Sequence, residues 1–369
     1  MAETLSRRRL LGVPPLLLAS GALRPAPLRA QPADRSIAPD LIRLAANENP
    51  CGPGPAARAA LAAATGDAWK YPMGEAMALR AMIAEREGLS PAHVLISDGS
   101  TEVLHIAALL AGAGGGELLT CAPTFDYAAS QVRAIGGTVR ELPLDAAMRF
   151  DLAALRAAVS PATRLVYLCN PNNPTGTWLP GSELRAFIAA MPAAVTVLVD
   201  EAYLELATGM ATHSMVDRVR TGDNVVVART FSKLHGLAGL RIGYALARPD
   251  LIERMGRLKL VVPSGPGLAA ATASYQDFDF QAASRREIAE GVAITTAALA
   301  ALGRPQAESR ANFVFFDTGG PAPAFMAAMR QRGFSLGRPY ASHPDWCRVS
   351  MGTVAQMRQF AGALQAHYG

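Results

Sequence analysis

Leu165-Val166-Tyr167-Leu168-Cys169-Asn170-Pro171-Asn172-Asn173-Pro174-Thr175-Gly176 is a short apolar run that ends in a rigid polar turn. Two later runs have the same form: 195–199 leads into Asp200-Glu201-Ala202-Tyr203, and 224–229 leads into Thr230-Phe231-Ser232-Lys233. Short apolar runs bounded by turn residues are typical of buried strands. Because helical patterns separate these runs, they predict a mainly parallel sheet with helices on both faces.

The same criteria place the other elements. Helices are predicted at 56–64, 79–87, 101–111, 151–159, 183–191 and 281–302. Strands are predicted at 117–121, 164–169, 195–199, 224–229, 313–316 and 347–350.

The chain of 369 residues is too long for one small core. We predict a leader at 1–30 and an arm at 31–66 that joins the small domain. A large α/β domain at 67–254 and a smaller α+β domain at 255–369 complete the predicted organisation.

The first thirty residues have the pattern of an export signal. Ser6-Arg7-Arg8-Arg9-Leu10-Leu11 contains twin arginines, an apolar stretch follows at 13–23, and Leu28-Arg29-Ala30 offers a cleavage site. The apolar stretch is shorter than the ~20 residues that span a bilayer, so no stable membrane association is predicted. We expect twin-arginine export to the periplasm; the alternative is a disordered basic tail on a cytoplasmic protein.

Composition argues against nucleic acid and metal partners. The formal charge is +5, but residues 1–30 hold five arginines against one glutamate, which leaves +1 for the remainder. A nearly neutral body gives no electrostatic reason to bind DNA or RNA. The four cysteines have no metal-ligand spacing with each other or with histidine, so no metal site is predicted.

Asp200 and Lys233 suggest a carbonyl cofactor. A carboxylate that follows a buried strand is unfavourable unless a cation pairs with it, and a protonated pyridine nitrogen is such a cation. Lysine, unlike arginine, can form a Schiff base, and the chain has only three lysines, at 70, 233 and 259. Asn173 and Tyr203 are placed to hydrogen-bond a phenolic oxygen beside that imine.

A phosphate site is predicted beside them. Ser97-Asp98-Gly99-Ser100-Thr101 precedes a helix, Gly99 permits the turn, and Ser100 is the expected N-cap, so free N–H groups there would bind an anion. Arg241 and the hydroxyls of Thr230 and Ser232 would add to that site. Each feature alone has a structural alternative, such as a rigid turn, a helix cap or a surface lysine. Their convergence at one sheet edge favours the joint interpretation.

The motifs NPNNPTG (170–176), DEAY (200–203), RTFSK (229–233) and GLAGLRIGY (236–244) resemble those of the fold-type-I pyridoxal-phosphate aminotransferases. Asn47-Glu48-Asn49-Pro50 and Lys70-Tyr71-Pro72 resemble the histidinol-phosphate aminotransferase branch. The resemblance covers roughly residues 40–355. It implies fold type I, pyridoxal phosphate as cofactor, an amine donor, a 2-oxo acid acceptor such as 2-oxoglutarate, and a homodimer.

The resemblance also implies residue roles. Lys233 would bind the cofactor and move protons, Asp200 would pair with the pyridine nitrogen, and Asn173 and Tyr203 would contact the ring oxygen. The phosphate would be held by Gly99, Ser100, Thr101, Thr230, Ser232 and Arg241, with Tyr71 reaching it from the neighbouring subunit. Phe125 would stack on the ring, and the substrate would meet Arg348, Arg338 and Asn47.

Three features depart from the family pattern. Phe125 lacks the hydroxyl often found there, so it can stack but not donate. Arg338 is offset by one residue from the expected position of a second substrate arginine. The leader fits poorly with a cytoplasmic biosynthetic pathway.

The predicted reaction is transamination. A decarboxylase or lyase on the same scaffold would use the same residues, because the bond broken depends on which one stands perpendicular to the ring. A non-catalytic pyridoxal-phosphate-binding regulator is a further alternative, but the 39 residues before Asp40 offer no helix-turn-helix.

Overall fold

The computed structural model describes residues 41–369; the predicted leader at 1–30 and residues 31–40 of the predicted arm therefore lie outside the described part of the chain. Eleven strands are formed in this part: β1 Ile42–Leu44, β2 Val94–Asp98, β3 Glu117–Ala122, β4 Thr138–Pro143, β5 Thr163–Cys169, β6 Thr196–Asp200, β7 Val225–Thr230, β8 Ile242–Ala247, β9 Phe313–Asp317, β10 Phe334–Leu336 and β11 Trp346–Ser350.

The described chain also forms thirteen α-helices. They are α1 Pro55–Ala64, α2 Met73–Arg86, α3 Gly99–Gly112, α4 Tyr127–Ala134, α5 Leu152–Ala158, α6 Gly181–Ala189, α7 Met210–His213, α8 Val216–Arg220, α9 Pro249–Gly256, α10 Gly265–Gln276, α11 Phe278–Ala301, α12 Ala322–Gln331 and α13 Val354–Tyr368. Among these helices, none combines the length and the apolar character needed to cross a bilayer.

A seven-stranded sheet organises the larger part of the fold. Its order is β2-β8-β7-β6-β5-β3-β4, and only β8 runs antiparallel to its neighbours. The predicted mainly parallel sheet is therefore confirmed. Strands β5, β6 and β7 lie side by side at its centre and are almost wholly buried, which explains their continuous apolar sequences.

Two smaller sheets lie near the ends of the described chain. β1 pairs in parallel with β10, and β11 pairs antiparallel with β9. Their side chains join α11, α12 and α13 in a second hydrophobic core, separate from the core of the large sheet. Helix α10 packs with the first core through Leu268 and Tyr275, so the domain boundary at 254 stays a prediction.

Three strands of the large sheet were not predicted from the sequence. β4 has a mixed polar sequence and lies at the sheet edge, where its residues are at best half-buried. β8 contains Gly243 and two alanines, residue types that are depleted in strands, and these interrupt its apolar run. β2 follows directly after a short 3₁₀ turn at Pro91–His93, and no element was predicted at its position.

Ser100 is not the N-cap of α3. The helix begins at Gly99, two residues earlier than predicted, and Asp98 occupies the cap position. The Asp98 N–H donates to the Glu102 carboxylate at 2.7 Å, and this bond closes the first turn around Gly99. Ser100 therefore lies within the first turn, where its backbone N–H still lacks a partner inside the helix.

Candidate active site

The carboxyl ends of β5, β6 and β7 bring the predicted polar segments together. Cys169 is in register with Asp200, and Asp200 is in register with Ala228. The turn after β5, the Asp200–Tyr203 segment and the Thr230–Lys233 segment therefore leave the sheet at one edge. Ligands of such sheets bind at this edge.

Asp200 is a buried carboxylate at the centre of that edge. It accepts hydrogen bonds from the Ala202 N–H at 3.1 Å and the Tyr167 hydroxyl at 3.3 Å. Within residues 41–369, no basic side chain forms an ion pair with it. Burial raises the pKa of Asp200 to about 6, although these two donors and Lys233 oppose the rise.

Lys233 is half-buried and faces the same space. Its ammonium donates to the carbonyls of Asn47 at 3.0 Å and Ala46 at 3.4 Å, and it lies 5.5 Å from the centre of the Tyr203 ring. Loss of hydration lowers the pKa of Lys233 to about 8, and the positive charge of Arg348 adds to this effect. The charges of Lys233 and Asp200 each shift the pKa of the other, so both belong to one site.

Arg348 joins the site from β11. Its guanidinium donates to the Asn173 side-chain oxygen and to the Ala45 carbonyl, both at 2.6 Å, and lies 5.6 Å from the centre of the Phe313 ring. Asn173 thus connects the turn after β5 with the candidate substrate arginine. The other two asparagines of that turn have structural contacts: the Asn170 amide oxygen accepts from the Leu179 N–H, and the Asn172 amide donates to Thr175 and to the Pro123 carbonyl of the loop after β3.

The first turn of α3 and Arg241 form an anion cradle. One Arg241 nitrogen lies 3.5 Å from the Thr101 hydroxyl and the other 3.5 Å from the Ser232 hydroxyl. Thr230 supports the cradle, because its hydroxyl donates to Ser232 at 2.9 Å. Free N–H groups at a helix start, two hydroxyls and one guanidinium make a site suited to phosphate.

Two glycines make this close approach possible. Gly99 has a φ of +70°, and a Cβ there would overlap the Arg241 guanidinium. A Cβ on Gly243 would overlap the backbone of Gly99 and Ser100. Strand β8 can therefore lie directly against the start of α3 only because position 243 has no side chain.

Asn47 connects Tyr203, which follows β6, with Ser350 at the end of β11. Its amide nitrogen donates to the Tyr203 hydroxyl at 3.0 Å, and its amide oxygen accepts from Ser350 at 2.6 Å. Both ends of the amide are therefore engaged within the protein. Its predicted contact with substrate stays a prediction.

Three predicted residues lie at the margin. Phe125 is half-buried and stacks on Tyr127 with the ring centres 6.3 Å apart, and its loop is tied to the turn after β5 by Thr124. Arg338 is exposed and pairs with Asp126 at 3.3 Å. The side chain of Tyr71 is 94% exposed, so it is not brought to the site within the single chain.

Four residues of the site were not predicted. Tyr167 lies within a strand whose sequence reads as apolar, and Phe313 was assigned only to a core strand. Ser350 ends β11, and Asn312 immediately precedes β9 and donates to the Asn47 carbonyl at 2.9 Å. Ser350 carries the signal that found Asp200, a polar residue at the end of an apolar strand, whereas Asn312 lies before its strand and has no such signal.

The arrangement fits pyridoxal phosphate. A buried acid without a cationic partner in the described chain suits a pyridinium nitrogen, and an amine with a lowered pKa suits an aldehyde. The anion cradle suits the phosphate, and Asn173 and Tyr203 offer polar groups for the ring oxygen.

A model of the family described as "Aminotransferase class I and II" matches residues 39–364. The chain belongs to this aminotransferase family. The histidinol-phosphate aminotransferase of Symbiobacterium thermophilum is 38% identical over 335 residues, which cover 89% of this chain and 91% of that protein. The corresponding protein of Rhodospirillum centenum is 38% identical over 330 residues, which cover 88% of this chain and 91% of the relative.

Solved structures agree with this assignment. The histidinol-phosphate aminotransferase of Sinorhizobium meliloti, solved in complex with pyridoxal-5'-phosphate, matches with a TM-score of 0.82 and 31% identity over 89% of this chain and 91% of that chain. Family membership confirms the predicted fold class, the transaminase activity and pyridoxal phosphate as the cofactor of this aminotransferase. The roles of individual residues rest on the geometry above and stay predictions.

Proposed function

We propose that this aminotransferase takes its amino group from a phosphorylated amino alcohol of the histidinol-phosphate type and delivers it to a 2-oxo acid. The observation that carries the proposal is the presence of two separate anion sites beside Lys233, the α3 cradle with Arg241 and the buried Arg348. The cradle suits the cofactor phosphate, which leaves Arg348 for an anionic group of the substrate. The names of relatives at 34–38% identity support the donor class.

Each residue has a distinct task in this proposal. When bound, pyridoxal phosphate supplies an aldehyde and a ring that accepts the electrons released at the substrate carbon. Asp200 holds the ring nitrogen in its protonated form. Lys233, with a pKa near 8, can both take and return a proton close to neutral pH. Arg348 orients the substrate by pairing with its anion.

A donor panel tests the substrate assignment. Enzyme loaded with cofactor is mixed with histidinol phosphate, histidinol, histidine or phenylalanine without an acceptor, and the loss of the visible cofactor absorbance is followed. Histidinol phosphate should react with the largest kcat/KM, and histidinol should be at least tenfold poorer because it lacks the anion. Equal rates with and without the phosphate would contradict the proposal, and release of carbon dioxide would favour a decarboxylase.

The enzyme is also proposed to act as a homodimer. Large apolar side chains are exposed on two segments that meet where Pro72 lies against Gly265. They are Trp69, Tyr71, Met73 and Met77 on one segment and Leu260 and Val261 on the other, all more than half exposed. Apolar patches of this kind mark protein–protein interfaces. A second subunit that covers this patch would receive Tyr71 at its own cofactor phosphate.

Export is proposed from the leader alone. The twin-arginine route carries folded proteins, so the cofactor would travel with the chain. Replacing Arg7, Arg8 and Arg9 by lysine should retain the protein in the cytoplasm while the native chain is found in the periplasm, as measured by cell fractionation. Native protein found only in the cytoplasm would contradict the proposal.

A further inference from the structure

Asn47, Ser350 and Tyr203 form a chain of hydrogen bonds that links three distant segments. The Asn47 N–H donates to the Ser350 hydroxyl at 2.9 Å, and this hydroxyl donates to the Asn47 amide oxygen at 2.6 Å. The Asn47 amide nitrogen then donates to the Tyr203 hydroxyl oxygen at 3.0 Å. All three residues are at most 5% exposed, so water does not compete for these bonds.

This chain has a direction. A serine hydroxyl has one proton, and Ser350 uses it toward the Asn47 oxygen, so the amide nitrogen faces Tyr203. Turning the amide over would leave the Ser350 proton without this acceptor and would make Tyr203 the donor to Asn47. In the arrangement present, the Tyr203 oxygen accepts from Asn47, and its own proton is available for another acceptor.

The backbone holds Asn47 where this arrangement requires it. Its φ of +54° lies in the left-handed region, which asparagine tolerates better than most residues. The Asn47 carbonyl accepts from Asn312, which directly precedes the partner strand of β11. Burial raises the pKa of Tyr203, so its hydroxyl keeps the proton at neutral pH.

We propose that Ser350 and Asn47 are positioning residues that act through Tyr203: Ser350 fixes the Asn47 amide, and this amide leaves the Tyr203 proton free for the ring oxygen of the cofactor. The proposal rests on the proposed role of Tyr203 at that oxygen. A donor to Tyr203 also strengthens the bond that Tyr203 itself donates. Loss of the relay should therefore weaken the stabilisation of negative charge on the ring oxygen.

The test uses the full-length enzyme loaded with pyridoxal phosphate and without substrate. Its readout is the midpoint of the pH-dependent change in the visible spectrum of the bound cofactor. Ser350→Ala should raise this midpoint by about half a pH unit, the size expected for one net hydrogen bond, and Tyr203→Phe should raise it further. Ser350→Thr, which keeps the hydroxyl, should restore the native midpoint.

A double-mutant cycle decides whether Ser350 acts through Tyr203, because the two side chains are joined only by Asn47 in this relay. Adding Ser350→Ala to Tyr203→Phe should cause no further shift. Ser284→Ala is the matched control: this buried serine accepts from the amide of Asn49 in the same segment, and its loss should leave the midpoint unchanged. If Ser350→Ala does not retain the cofactor, Asn47→Ala replaces it in the cycle with Tyr203→Phe, and the same comparison of midpoints decides the result.

The outcomes separate this proposal from the proposed function. Two results would overturn the relay alone. In the first, Ser350→Ala shifts the midpoint as much in the Tyr203→Phe background as in the native enzyme. In the second, Tyr203→Phe shifts the midpoint but Ser350→Ala does not. A midpoint that Tyr203→Phe does not move overturns both the relay and the role of Tyr203. Native enzyme without a visible cofactor band would overturn the proposed function itself.

Discussion

At the scale of single residues, the site depends on ionisable groups that the fold places in unfavourable surroundings. Asp200 is buried without a cationic partner in the described chain, and Lys233 has lost part of its hydration. Each arrangement costs free energy in the cofactor-free protein and becomes favourable when a pyridinium nitrogen and an aldehyde are present.

Asp200→Asn should stabilise the cofactor-free protein at neutral pH. The pKa of Asp200 is about 6 in the folded protein and near its ordinary value of 3.8 in the unfolded chain, so the native protein loses stability as the pH rises between these values. The variant escapes this loss, which is on the order of 2–3 kcal/mol. Its advantage in urea unfolding should be complete above about pH 6 and absent below about pH 4.

Addition of pyridoxal phosphate should reverse this order, because only the native carboxylate can pair with the ring nitrogen. Native and variant proteins with the same pH dependence of unfolding would contradict the assignment of Asp200 as an uncompensated buried acid.

Arg348→Ala should impair turnover of anionic substrates much more than retention of the cofactor. A buried guanidinium that pairs with an anion contributes about 2–4 kcal/mol, so kcat/KM should fall roughly 30- to 700-fold. Arg338→Ala is the comparison: its exposed position and partner limit the loss to about fivefold. If Arg348→Ala and Arg338→Ala lowered kcat/KM by the same factor, for anionic and for neutral donors alike, Arg348 would not be the anion site.

At the scale of elements, the anion cradle depends on contact between strand β8 and the start of helix α3. The contact places Arg241, which directly precedes β8, beside the hydroxyls of Thr101 and Ser232. The position of Arg241 in the cradle therefore depends on how the backbones of β8 and α3 pack together.

Gly243→Ala should weaken cofactor binding about fivefold or more. The added methyl group meets backbone atoms of Gly99 and Ser100, which cannot move aside without shifting the helix start, and such overpacking costs about 1–3 kcal/mol. Gly239→Ala is the matched control, since a Cβ there meets no atom within 4 Å. Cofactor affinity follows from fluorescence titration, and equal affinities for the two variants would contradict the cradle.

The sequence allowed prediction of the groups that follow apolar strands. Asp200 was predicted because a carboxylate after a buried strand needs a cationic partner, and Lys233 because it is one of only three lysines and follows a neighbouring strand. Tyr167 was not found, because only the pairing of β5 with β6 turns its hydroxyl toward Asp200. The contact of Asn47 with Ser350 joins residues 303 positions apart, a distance that no local pattern reveals.

At the scale of the whole molecule, a single chain leaves one predicted cofactor contact incomplete. Tyr71 is exposed beside other large apolar residues, as expected for a side chain that reaches the cofactor phosphate of a neighbouring subunit. A second copy of the chain would complete this contact if the exposed patch is the subunit interface.

Mixing two inactive variants tests the shared site. Tyr71→Ala and Lys233→Ala subunits should each have little activity alone, because one lacks a phosphate contact and the other lacks the amine. In a mixed dimer, one site combines the native Lys233 of one chain with the native Tyr71 of the other, so activity should recover to about half of the native value per dimer. No recovery after joint refolding, with mixed dimers verified by mass spectrometry, would contradict a shared site.

The most direct test of the central claim is to identify which amine carries the cofactor. The chain has only three lysines, so borohydride reduction of the loaded enzyme followed by peptide mass spectrometry gives an unambiguous answer. The added mass of the reduced cofactor should appear on the peptide that contains Lys233 and be missing from Lys233→Ala. A label on Lys70 or Lys259 instead, or a loaded enzyme with no label, would contradict the account.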